Sequence, residues 1–146
     1  MTVNTATARY EGLGKDGRGH VSTASGVLDA PYGFGSRFAG EAGINPEEMI
    51  AAAHASCFTM ATSFALARAG HTEGTLETTC KVTLEKDGDG FTVTRSALAL
   101  TGRVPGIERA EFERLASEAK AGCPISKLLN CEITLETAFE EAPVAG

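Results

Sequence analysis

Cysteine is the residue type in this chain with the most chemistry to offer, and the sequence holds four, at positions 57, 80, 123 and 131. A thiolate is both a nucleophile and a metal ligand, so the setting of each sulfur decides what it can do. Cys57 lies mid-way along an apolar run, in Ala53-His54-Ala55-Ser56-Cys57-Phe58. It reads either as a nucleophile or as a small buried hydrophobe. Cys123 follows Gly122 and precedes Pro124, which places it at the N-cap or first turn of a short helix. Unpaired amides and the helix dipole favour a thiolate there; the plainer alternative is a cap without a redox part. Cys80 and Cys131 fall on the apolar faces of alternating segments and read as core. No two cysteines have the Cys-x-x-Cys spacing of a zinc site. His54 and Cys57 are three apart and can share a helix face, which keeps a metal- or ligand-binding site open. His20 and His71 sit in turn-like segments with no partner motif.

These residues need elements to position them. Asn45 at an N-cap, Pro46 at N1 and Glu48 at N3 match a capping box with its proline correctly placed. They predict a helix from about Pro46 to Ala69, closed by Gly70. Before it, β-prone runs at Thr5 to Tyr10, His20 to Leu28 and Phe34 to Phe38, separated by glycine-rich turns, predict a meander over about residues 1–40. After it, Leu76, Thr78, Cys80, Val82 and Leu84 alternate with polar residues, the period of a half-buried strand. Asp87-Gly88-Asp89-Gly90 turns that strand into a second, Phe91 to Val104. Ile107 to Ala121 reads as an amphipathic helix with Phe112, Leu115 and Ala119 on one face. A short turn from Cys123 to about Leu129 follows, then a last strand from Cys131 to Phe139. The expected fold is α+β in the order βββ-α-ββ-α-β, with antiparallel sheets around a long buried central helix.

Composition narrows the classes. The 146 residues predict a single domain, with the ββαβ part over about residues 75–139 and a frayed tail from Glu140. A formal charge of −6, with no basic patch, argues against nucleic acid as partner. No stretch of 18 unbroken apolar residues occurs, which argues against a membrane span. Residues 1–7 carry neither a charged n-region nor an apolar h-region, so the expectation is a cytoplasmic chain with reduced thiols.

The central helix makes a demand of its own. From Met49 to Ala67 it has almost no polar face, and a helix apolar all round must be covered all round. It would run roughly 36 Å, and a chain this size has few other apolar elements to wrap it. A second copy of the chain is expected to cover part of it.

Two separated segments carry a family likeness. Pro31-Tyr32-Gly33-Phe34-Gly35-Ser36-Arg37-Phe38 with Asn45-Pro46-Glu47 through Ala53-His54-Ala55-Ser56-Cys57-Phe58 is one, and Ala121-Gly122-Cys123-Pro124-Ile125-Ser126-Lys127 is the other. In both, and in the order of elements from about Tyr10 to Phe139, the chain resembles the OsmC/Ohr family of thiol peroxidases. The Ala-His-Ala-Ser-Cys form resembles the OsmC branch. The resemblance implies an intertwined homodimer with active sites at the interface. It implies Cys57 as peroxidatic cysteine, Cys123 as resolving cysteine, and Arg37 with Glu47 as the activating pair. It further implies reduction of organic hydroperoxides, and of hydrogen peroxide as a second substrate, without flavin, haem or metal. An external dithiol, such as a lipoylated protein, would recycle the Cys57–Cys123 disulfide.

The chemistry explains why such residues would be needed. A free cysteine is mostly protonated at neutral pH, and burial in an apolar helix raises its pKa further. A cation must therefore stand beside Cys57, and Arg37 is the best candidate because a guanidinium stays charged and its fork can serve a thiolate and a carboxylate together. Glu47 would hold that fork, while also compensating the helix dipole at N2. Glu47 and Cys57 are ten residues apart on one helix, about 15 Å along its axis. The expectation is that Arg37 and Glu47 of one subunit serve Cys57 of the other. Two other readings remain: a non-catalytic redox sensor using the same two cysteines, and a metal- or ligand-binding dimer around His54 and Cys57.

Overall fold

The computed structural model describes residues 1–140; the expected frayed tail beyond Glu140 lies outside the described residues. The chain divides into two compact units, Met1–Met49 and a second beginning at Ile50.

The first unit is built on an antiparallel sheet in the order β1-β2-β3: β1 Ala6–Glu11, β2 Arg18–Thr23 and β3 Asp29–Tyr32. The long strand expected from His20 to Leu28 is broken into a hairpin. The Thr23 amide bonds the Leu28 carbonyl at 2.9 Å and the Gly26 amide turns back to Thr23 at 2.9 Å. Phe34–Phe38, expected as a strand, is a short helix, α1. Its amides from Arg37 and Ala39 reach the carbonyls of Gly33 and Gly35 at 3.1 and 2.9 Å. Ser36 Oγ accepts the Gly33 amide at 3.0 Å. Two phenylalanines four apart suit this helix better than a strand, because they meet on one face with ring centroids 5.1 Å apart.

Helix α2, Pro46–Arg68, starts where the sequence places it. Asn45 Oδ1 accepts the Glu48 amide at 2.8 Å, capping the first turn. At the other end Gly70 adopts φ 95°. The His71 amide then returns to the Leu66 carbonyl at 2.9 Å and the Gly70 amide to Ala67 at 3.0 Å, a Schellman closure.

In the second unit β4, Thr75–Asp87, and β5, Gly90–Arg103, form the expected hairpin. Helices α3, Arg109–Gly122, and α4, Pro124–Leu128, follow, and β6, Glu132–Phe139, completes a sheet ordered β4-β5-β6. Here the expectation of purely antiparallel sheets is corrected: β6 runs parallel to β5. The reason lies in the connection. β6 is reached through two helices rather than a tight turn, and such a crossover brings a strand back in the same direction. The core joins Phe58 and Leu66 of α2, Leu98 and Leu100 of β5, and Phe112, Leu115, Ala116 and Ala119 of α3.

α2 is not covered all round by its own chain. Its buried residues are His54, Phe58, Thr62 and Leu66, spaced four apart on one stripe. Met60 and Phe64 remain 59% and 57% exposed. By length and composition alone α2 could cross a membrane, yet the stripe it buries carries a histidine and a threonine and packs on protein.

One close approach fixes the packing of α3 on the sheet. A Cβ at Gly102 of β5 would stand 2.2 Å from the ring of Phe112, which is fully buried. Gly102→Ala is therefore expected to cost about 1–3 kcal/mol through overpacking. Urea unfolding at matched protein concentration checks this through a lower midpoint with an unchanged slope.

Candidate active site

The two sulfurs singled out in the sequence meet in the second unit. Cys57 Sγ and Cys123 Sγ are 2.8 Å apart and share a hydrogen, although 66 residues separate them in the chain. α2 supplies Cys57. Cys123 stands at the join of two helices, ending α3 with its amide on the Ala119 carbonyl at 2.9 Å and opening α4 as its N-cap. Pro124 explains this geometry. A residue before proline is pushed out of the helical region, and Cys123 has φ −60° and ψ 129°.

The environment treats the two sulfurs differently. Burial pushes Cys57 up, and the hydrogen shared with Cys123 adds to this against the opposing pull of the Ile125 amide; the net direction is up. Burial also pushes Cys123 up, but donors oppose it: Cys57, the amides of Ser126 and Ile125, and the Ser126 hydroxyl. Together they outweigh burial, and Cys123 is held below its ordinary value. With the partners its own unit provides, Cys57 is the sulfur of the pair whose ionisation is disfavoured. A cation beside Cys57 would favour its thiolate.

Arg37 and Glu47 lie in the first unit and are brought together as expected. Arg37 Nε donates to both Glu47 oxygens at 3.1 Å, and Nη2 donates to Oε1 at 2.5 Å. This is a forked, charge-assisted pair. Glu47 holds the guanidinium pKa above its ordinary value, chiefly through the hydrogen bonds. The ring of Phe38 lies beneath the guanidinium, 5.2 Å away. The Glu47 side chain is only 12% exposed while that of Arg37 is 36% exposed, so the carboxylate is spent on the arginine and the arginine keeps an open edge.

His54 was open as a metal ligand with Cys57. It is fully buried, and both ring nitrogens are engaged by hydroxyls: Nδ1 with Ser96 Oγ at 2.6 Å and Nε2 with Ser126 Oγ at 2.7 Å. Burial lowers its pKa, which favours the neutral ring. Among the described residues no group of three or more His, Cys, Asp or Glu could hold a metal. Cys80 packs against the core as expected, but its Sγ also lies 3.2 Å from Ser96 Oγ. Cys131 precedes β6 instead of opening it. Ser96 and Ser126 were missed. Ser96 shares the inward register of Leu98 and Leu100, and a hydroxyl in an otherwise apolar register is the signal that was there to find.

The family model for OsmC-like protein matches residues 39–138. Over 138 residues the chain is 52% identical to Peroxiredoxin OsmC of Escherichia coli strain K12, covering 93% of this chain and 96% of that one. It is 33% identical over 102 residues to the organic hydroperoxide resistance protein OhrA of Bacillus subtilis strain 168, covering 67% and 70%. The solved structure of the organic hydroperoxide resistance protein OhrB of Bacillus subtilis superposes with a TM-score of 0.71 at 30% identity, covering 94% of this chain and 98% of that one.

Proposed function

Because this chain belongs to the OsmC-like protein family, we propose that it is a cysteine-based peroxidase that reduces organic hydroperoxides at Cys57. The observation that carries the reading is the 2.8 Å contact of Cys57 with Cys123. In the first step the Cys57 thiolate attacks the peroxide. An S–O bond forms, the O–O bond breaks, and the alkoxide leaves with a proton as the alcohol. Cys57 becomes a sulfenic acid. Cys123 then attacks that sulfur; an S–S bond forms, the S–O bond breaks, and hydroxide leaves with a proton as water. An external dithiol, such as a lipoylated protein of the cytoplasm, reopens the bridge by exchange.

Ionisation of Cys57 is assigned to Arg37, steadied by Glu47. The apolar face of α2 that carries Met60 and Phe64 supports a homodimer, because exposed side chains of that size are stabilised by a second surface. In that dimer Arg37 and Glu47 of one subunit serve Cys57 of the other.

Two measurements test this. With excess dithiol the protein is expected to consume many equivalents of organic hydroperoxide per chain, with lipoyl and thioredoxin reductants compared side by side; a halt after one equivalent would mark a sensor instead. A heterodimer carrying Cys57→Ser on one chain and Arg37→Ala on the other is expected to keep half its sites, the one assembled from the two intact contributions. Complete inactivity would place each arginine with the cysteine of its own chain.

A further inference from the structure

The reaction above leaves one buried ionisable residue without a task. His54, Ser96 and Cys123 are fully buried and Ser126 is nearly so. They form a run of polar contacts from Cys80 to Ser126: Cys80 Sγ to Ser96 Oγ, Ser96 Oγ to His54 Nδ1, and His54 Nε2 to Ser126 Oγ. Ser126 is the third residue of the helix that Cys123 caps, and its hydroxyl favours the thiolate there. Hydrogens can be placed along such a run in two consistent directions. In one, Cys123 and Ser126 donate toward His54 Nε2, and His54 Nδ1–H and Ser96 donate onward to Cys80. In the other, Cys80 donates to Ser96, Ser96 to Nδ1, Nε2–H to Ser126, and Ser126 to Cys123. Both directions can be drawn with every thiol neutral, and at Cys80 burial pushes the thiol up while the Ser96 hydroxyl pulls against it. The second ends on Cys123, where the amides of Ile125 and Ser126 already receive the charge. The attacking sulfur is a thiolate, which can only accept, so the second direction is the one that serves the resolving step.

We propose that His54 is a positioning residue of the resolving step, which as its Nε2–H tautomer turns the Ser126 hydroxyl onto Cys123 and readies that sulfur to attack the Cys57 sulfenic acid. Ser126 touches the reacting sulfur; His54 acts through it; Ser96 and Cys80 hold the far end of the ring. A single-acceptor arrangement of this kind fixes direction because each hydroxyl has one hydrogen to give, and a buried chain stabilises a charge only when every member is satisfied. Among the described residues, the ionisable groups in contact with Cys123 are Cys57 from α2 and, through Ser126, His54; Cys80 of β4 is reached through Ser96. The inference rests on Cys123 as the resolving cysteine.

The test separates the steps of one turnover. After one equivalent of hydroperoxide, Ser126→Ala and His54→Gln are expected to form the sulfenic acid at the wild-type rate. They should close the disulfide about tenfold more slowly, the worth of one hydrogen bond to a charged group, with more sulfenic acid trapped by dimedone. Ser126→Thr, which keeps the hydroxyl, should restore closure. In a Cys57→Ser background, the pH dependence of Cys123 alkylation should move up by about one unit when Ser126 becomes alanine. Nitrogen-15 spectra of the wild-type protein should show His54 protonated at Nε2. Closure at the wild-type rate in Ser126→Ala with Cys123 titrating unchanged would overturn the proposal, as would a His54 ring protonated at Nδ1. Failure of the underlying reading is distinct: the wild-type protein itself would then form no Cys57–Cys123 disulfide.

Discussion

Cys57→Ser is expected to abolish hydroperoxide turnover, lowering the rate by about 10³-fold or more, because a serine hydroxyl does not take up the peroxide oxygen and Cys123 is left without a partner for the disulfide. Serine is close to isosteric and Cys57 is only half-buried, so the variant should fold and melt near the wild-type temperature. The loss is then chemical. Cys123→Ser gives a different signature. Its first equivalent of peroxide should be consumed at close to the wild-type rate, after which Cys57 sulfenic acid persists and further peroxide carries it to the sulfinic acid. Stoichiometry in a single-turnover assay, followed by mass spectrometry of the Cys57 peptide, checks both variants together. Equal inactivity of the two in the first equivalent would remove the distinction between attacking and resolving sulfur.

Arg37→Met is expected to be the second-largest loss. Methionine keeps an unbranched apolar stem over Phe38 but carries no charge. Within its own unit Cys57 is already pushed up by burial, so without the guanidinium that raised value stands. An opposite charge close by is worth about 1–3 pKa units. Below the pKa the thiolate fraction, and with it kcat/KM, should fall by about 10- to 10³-fold. The sign is testable: the acid limb of the kcat/KM profile shifts to higher pH, and activity is regained as the thiol ionises on the alkaline side. Arg37→Lys should lie between, since it keeps the charge and loses the fork that grips Glu47. An acid limb that stays where it is in Arg37→Met would dissociate Arg37 from the ionisation of Cys57.

What could be read in advance was local. The start of α2 follows from Asn45, Pro46 and Glu48, neighbours whose geometry is settled among themselves. The hairpin at Asp87 to Gly90 and the helical join at Cys123-Pro124 are local in the same sense. Phe34 to Phe38 misled because β-propensity records how aromatic side chains pack on a sheet, while here the pair Phe34 and Phe38 packs along a helix. The parallel pairing of β6 was beyond local reasoning, since a strand does not carry the identity of its neighbour. The site divides likewise. Cys57, Cys123, Arg37 and Glu47 sit in recognisable segments, but His54 engages Ser96 from 42 residues away and Ser126 from 72. Ser96 shows in the sequence only as a hydroxyl in an apolar register, and what it engages is decided when the fold closes around it.

β5 is the middle strand of its sheet, bonded to β4 on one edge and β6 on the other. Its amides near Ser96 therefore exchange with solvent only when a flanking strand lets go, and interior strands are among the last parts of a domain to open. The anchor of the His54 ring thus lies on a strand expected to be among the last to exchange. Fraying at the termini or in surface turns leaves that strand intact, so loss of the reactive geometry should coincide with cooperative melting of the sheet rather than precede it.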